Sequence, residues 1–191
     1  MSALTEPIGP RDHVLGRPNA GATLVEYGDY ECPFCARAHY EVAEVLRRLG
    51  NHVRYAYRHF PLTQIHPHAF VAAQAAEAAG AEGRFWPMHT ILFEHRDALG
   101  PEDLVGYAET LGLDGHRFSR DLRAGTYVPH IESDFRSAVR SGVTGTPTFF
   151  LNGLRVVRGW DADTLAAGIE EVLAQAASMP FGRPGAPPTA R

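Results

Sequence analysis

The chain has 191 residues, 45% of them hydrophobic and 21% charged, with a formal net charge of −4. That length supports one domain with its own core, or one domain carrying a large insertion. A mildly acidic chain without a basic run offers no footing for nucleic acid or an anionic membrane, and no apolar run reaches membrane-spanning length.

All 18 basic residues are arginine, so no Schiff-base lysine is available. The opening "MSALTEPIGPRDHVLG" has no basic stretch followed by an apolar one. As written, it reads as a cytoplasmic protein, or a periplasmic one whose signal was removed. Residues 1–20 are rich in proline and glycine and read as an extended segment. "ATLVEYG" (22–28) reads as a buried strand closed by Gly28. A helix is predicted from Cys32 to Leu49, with Val42, Val45, Leu46 and Leu49 on one stripe and Gly50 as the stop. "VRYAYR" (53–58) alternates and reads as a second strand, parallel to the first through a right-handed crossover.

From Pro67 to Ser141 the pattern is helical throughout, four or five helices long. Ile131, Phe135 and Val139, four apart, mark the core face of the last of them; Phe85, Trp86, Phe93 and Phe135 read as core residues. "PTFFL" and "LRVVR" flank Asn152-Gly153, a type I′ hairpin signal. A final helix starts at Asp161, a good N-cap, with Leu165, Ile169, Val172 and Leu173 inward. Residues 179–191 read as a disordered Pro/Gly tail. The order β-α-β, helical block, β-β-α gives an α/β fold with a mixed four-stranded sheet.

Both cysteines lie in "DYECPFCARAH", two residues apart. Two cysteines alone form no structural disulfide framework, which leaves a redox couple, part of a metal site, or two buried thiols. Cys32 sits where a strand gives way to a helix, and Pro33 suits the first helical position. The free N–H groups of Phe34 and Cys35 then point at its sulfur. The helix dipole adds about 0.3–2 kcal/mol in favour of the thiolate. This placement leaves the first sulfur reachable, while Cys35, one turn in, is buried and suited to resolve a mixed disulfide. Phe34 offers the thiolate no hydrogen bond, Glu31 opposes it, and His39 either assists or faces solvent, so a moderate oxidant is expected. A metal reading uses Cys32, Cys35 and His39, but lacks a second cysteine pair to close the site. Glu26 is an acid inside a strand. If buried, it has a raised pKa and is placed to take a proton from Cys35; if strand alternation turns it outward, it is a solvated edge residue. His66, His68 and His89 read as capping and packing residues.

The segments "VEYGDYECPFC", "YRHFPL", "HPHAFVAAQAAEAA", "GRFWPMHTILFEH" and "GVTGTPTFFLNG" resemble the DsbA-like branch of thioredoxin-fold disulfide oxidoreductases, over about residues 12–175. The resemblance implies a thioredoxin core from 21–63 and 142–178, interrupted by an all-helical domain at 64–141. It implies that Thr146-Pro147 is a cis-proline loop facing the cysteines, with Thr146 offering its backbone to an extended substrate in a strand-addition mode. It matches Glu26 to the family's buried acid, and Phe34 departs from the histidine of strongly oxidising members.

The expected function is thiol–disulfide exchange with protein or small-thiol substrates. Cys32 is the nucleophile, Cys35 resolves, Glu26 moves the proton, and Pro33, Phe34, Thr146 and Pro147 meet the substrate. A separate redox partner is implied, and neither a cofactor nor a metal is required by the chemistry. Two alternatives from other classes are a metal- or iron–sulfur-binding module on Cys32, Cys35 and His39, and a non-catalytic thioredoxin-like regulatory domain for a membrane protein.

Overall fold

The computed structural model describes residues 2–178; Met1 and the 179–191 tail lie outside the described residues. In chain order the elements are β1 (His13–Leu15), β2 (Ala22–Gly28), α1 (Pro33–Leu49) and β3 (Val53–His59). Five helices follow: α2 (Ala69–Gly80), α3 (Phe85–Glu94), α4 (Pro101–Thr110), α5 (Gly115–Arg123) and α6 (Val128–Arg140). The chain then returns to β4 (Thr148–Leu151), β5 (Leu154–Arg155) and α7 (Ala162–Ser178).

The sheet has five strands in the order β1-β3-β2-β4-β5, one more than the four expected. β2 and β3 are parallel, as their helical crossover requires, and the other pairings are antiparallel. The added strand comes from the N-terminal segment read as extended. "HVL" is too short to show an alternating pattern, and its strand character comes from pairing along the edge of β3 through His13–Tyr57, Val14–Ala56 and Leu15–Tyr55. At the other edge, β5 holds two residues rather than the five of "LRVVR". The hairpin before it has Asn152 at φ 46° and Gly153 at φ 82°, the two positive values a type I′ turn demands.

Strand alternation divides the interior into two layers. Leu24, Tyr55, Tyr57 and Phe149 face a large core built with α1, α3 and α7. Val25, Tyr27, Ala56 and Phe150 face a smaller one closed by Ala138 and Val143. α6 packs on β3 with Ala138 buried, so its expected stripe is only partly right. Ile131 is covered, but Val139 is 56% exposed, and Phe135, 36% exposed, stacks on Phe60 at 4.6 Å. α7 starts as expected, with the Asp161 carboxylate accepting from the Thr164 N–H and hydroxyl.

Candidate active site

Cys32 is the N-cap of α1, with extended backbone (φ −72°, ψ 122°) and Pro33 at the first helical position. The turn before it is fixed by Asp29. The Asp29 carboxylate accepts from the N–H groups of Glu31 and Leu62 and from His66, each at 2.8 Å, and its carbonyl accepts from the Cys32 N–H. Cys32 and Cys35 are both free thiols. Cys35 is completely covered.

The first sulfur is less open than expected: Cys32 is only 3% exposed. The reason is the loop from the far side of the helical block. The Thr146-Pro147 bond is cis, and the Thr146 carbonyl accepts from the Cys32 thiol at 3.6 Å, so the loop lies over the sulfur. Phe34, two residues after Cys32, is 62% exposed.

The two thiols are driven apart in acidity. The Cys32 pKa is lowered to about 5, first by the Cys35 thiol, which outweighs the opposing effect of burial; Thr146 and the N–H groups of Cys35 and Phe34 add to it. The Thr146 hydroxyl is buried and has no hydrogen-bond partner among the described residues. Cys35 moves well upward, first because it is buried and then because its proton is held toward Cys32.

Glu26 lies beneath them on β2, between β3 and β4, opposite Tyr57 and Phe149. It is 1% exposed, so the edge-residue reading is excluded. Burial raises its pKa to about 8, against one hydrogen bond from the Tyr55 hydroxyl at 2.7 Å; negative charge on Cys32 raises it further. Its second oxygen has no partner among the described residues.

Tyr55 is therefore part of the site and was not singled out in the sequence. Its signal was weak: an aromatic in an alternating strand looks like core until the parallel register sets it beside Glu26. Tyr30, in the turn between β2 and α1, was also not singled out; its hydroxyl meets His89 Nδ1 at 3.0 Å among the rings of Tyr57 and Phe93. The packing role expected of His89 holds. Glu31 does not face the thiolate unpaired: its carboxylate accepts from the His68 N–H at 2.6 Å and lies 3.1 Å from His68 Nδ1. His39 packs 5.3 Å from the rings of His89 and Phe93, and burial lowers its pKa. Among the described residues, Cys32, Cys35 and His39 do not gather into a ligand set.

A cysteine pair at a helix start, under a cis-proline loop and over a buried acid, on a β-α-β … β-β-α sheet, defines a thioredoxin-fold protein. The chain belongs to that family: the model described as Thioredoxin matches residues 9–171. Within it the chain is DsbA-like. It superposes on Pseudomonas aeruginosa DsbA2 with a TM-score of 0.70 and 25% identity, covering 91% of this chain and 100% of that one. A thioredoxin-like oxidoreductase from Silicibacter pomeroyi aligns with a TM-score of 0.76 and 28% identity over 90% and 95% of the two chains. In sequence, the chain is 47% identical to the Na(+)/H(+) antiporter NhaA 1 of Salinispora arenicola over 90% of its own length but 26% of the antiporter's. The chain thus spans about a quarter of the length of such relatives. No helix among the described residues is long and apolar enough to cross a membrane.

Proposed function

We propose that this chain is a thiol–disulfide oxidoreductase acting through Cys32 and Cys35. The observation that carries the reading is the split acidity of the pair: Cys32 lowered to about 5 while Cys35 is held protonated next to it. At neutral pH one sulfur is a thiolate and the other a protected thiol. The likeness to the Silicibacter oxidoreductase and to DsbA2 supports the same reading.

In the reducing direction, the Cys32 thiolate attacks one sulfur of a substrate disulfide and the other leaves as thiolate. The Cys35 thiol then gives its proton to the Glu26 carboxylate and attacks Cys32, expelling the second substrate thiolate. The product is the Cys32–Cys35 disulfide; two electrons have moved to the substrate, and the oxidising direction is the reverse. Glu26 suits this step because the Cys32 charge that raises its pKa vanishes in the mixed disulfide. With that charge gone its pKa falls, so Glu26 releases its own proton more readily and stands as the carboxylate that takes the proton of Cys35. Thr146, its proline and the neighbouring Pro33 and Phe34 frame the opening and orient an extended segment of the substrate protein.

Iodoacetamide alkylation of Cys32 against pH should show a midpoint near 5, and Cys32→Ser should abolish insulin-disulfide reduction. A midpoint near the ordinary thiol value of 9.0 removes the activated nucleophile and with it this reading.

A second reading, a non-catalytic regulatory portion of a membrane transporter, is favoured by the antiporter relatives, of which this chain matches about a quarter. It predicts no turnover of insulin disulfides by the chain with both cysteines intact. Turnover lost in Cys32→Ser counts against it.

A further inference from the structure

A second cluster of chemistry-bearing side chains lies where β1, β3, α2 and α6 meet, and the exchange reaction does not use it. His13 Nε2 and His59 Nε2 each stand 2.8 Å from Glu77 Oε1, and His130 Nδ1 stands 3.5 Å from Glu77 Oε2. Among the described residues, His13, Glu77 and His130 alone bring three ligand atoms within 4.8 Å of one another. Glu77 is buried, whereas the side chains of His13 and His130 are 21% and 24% exposed, which leaves an entry path on the histidine side.

We propose that His13, Glu77 and His130 form a binding site for one divalent transition ion of the zinc class. Two imidazoles and a carboxylate suit zinc and its neighbours. Calcium takes six to eight oxygens and magnesium an octahedral oxygen shell, neither of which this set supplies. Zinc–ligand bonds of about 2.0–2.2 Å at tetrahedral angles place ligand atoms roughly 3.3 Å apart. The Glu77–His130 separation fits that spacing. The Glu77–His13 contact opens by about half an ångström once a shared proton is replaced by the ion.

The surroundings are built to hold these ligands in place. His59 donates to the Glu77 carboxylate from behind. Asp134 Oδ2 lies 3.7 Å from His130 Nε2, the ring nitrogen facing away from Glu77, and is itself pinned by the His59 N–H at 3.0 Å. A carboxylate behind an imidazole is how ligating histidines are oriented. The His13 ring stacks flat on Phe85 at 3.5 Å and 6°. Room for that ring exists because residue 80 is glycine: a Cβ there would stand 2.9 Å from His13 Cε1. Since the three ligands come from β1, α2 and α6, the ion ties the N-terminal strand to two helices of the helical block.

The test uses the 191-residue chain carrying Cys32→Ser and Cys35→Ser, stripped of metal and titrated with Zn²⁺ or Co²⁺. One equivalent should bind, with cobalt d–d absorption, no thiolate charge-transfer band, and a higher unfolding temperature. His13→Ala and His130→Ala, both at partly open positions, should fold and weaken binding by about 100-fold or more, given that losing only an outer partner costs about 10–100-fold. Gly80→Ala should weaken it as well by displacing the His13 ring. The proposal is overturned if the double-serine chain shows no saturable binding, or if neither histidine variant alters the affinity.

Discussion

Glu26 and Arg58 are ionisable residues on adjacent strands of one sheet, facing opposite layers of the core, and their surroundings treat burial in opposite ways. Arg58 uses all five guanidinium N–H groups. Two go to the Asp12 carboxylate at 2.6 and 3.0 Å, one to the Tyr27 hydroxyl, and two to the carbonyls of Glu6 and Pro7. Burial pushes the Asp12 pKa up, but its bonds to Arg58 and the Gly9 N–H prevail and hold it below the usual value. Glu26 receives one hydrogen bond and has an oxygen with none, so its burial prevails and it stays protonated at neutral pH. Burial alone does not set the charge of a carboxyl group; the number of donors aimed at it does. The saturated pair fastens the N-terminal segment to β3, and the under-supplied acid keeps a proton it can exchange.

The largest effect should come from emptying the saturated side. Arg58→Met strands Asp12 and two backbone carbonyls, and should lower the unfolding free energy by about 3–5 kcal/mol in urea titration. Cys32 alkylation should keep its midpoint near 5, because the two faces are electrostatically separate. A shifted midpoint would join them.

On the under-supplied side the sign reverses. Below the ordinary value of 4.5, Glu26 is protonated whether folded or unfolded and adds no pH dependence. Between 4.5 and about 8 the unfolded chain ionises while the folded one does not, so stability falls as pH rises. Glu26→Gln removes that loss. It should stabilise the reduced protein by about 3 kcal/mol at pH 7 and by almost nothing at pH 4. Destabilisation at pH 7 would mean that Glu26 is ionised and paired.

Tyr55→Phe deletes the only donor to Glu26 among the described residues. It should cost about 1 kcal/mol and move the acid's titration above its present value of about 8, read as an upward shift in the pH profile of mixed-disulfide resolution. The smallest change needs no mutation. Oxidising the pair removes the Cys32 charge that raises Glu26, so its titration, followed by carboxyl NMR, should fall relative to the reduced protein. An unchanged value would show that the acid and the nucleophile are uncoupled.

The central strands, the crossover helix, the hairpin turn and the placement of Cys32 at a helix start were legible because each rests on local chemistry. Strand alternation, a proline at a first-turn position and an Asn-Gly pair act over a few residues. β1 was not legible, since three residues carry no period and become a strand only by pairing with β3. The exposure of Phe135 escaped for a related reason: helical spacing marks a stripe, but the packing of α6 on β3 decides how much of it is covered.

By itself the sequence determined that two thiols share one helical turn and that a strand beside them carries an acid. Only the tertiary structure decided their charge states. Ionisation depends on burial and on the hydrogen-bond partners that distant segments supply: the Tyr55 hydroxyl from β3, the Thr146 carbonyl from beyond five helices. The same holds for His13, Glu77 and His130, which are scattered along the chain and acquire a shared chemistry because the sheet edge and two helices converge on one point.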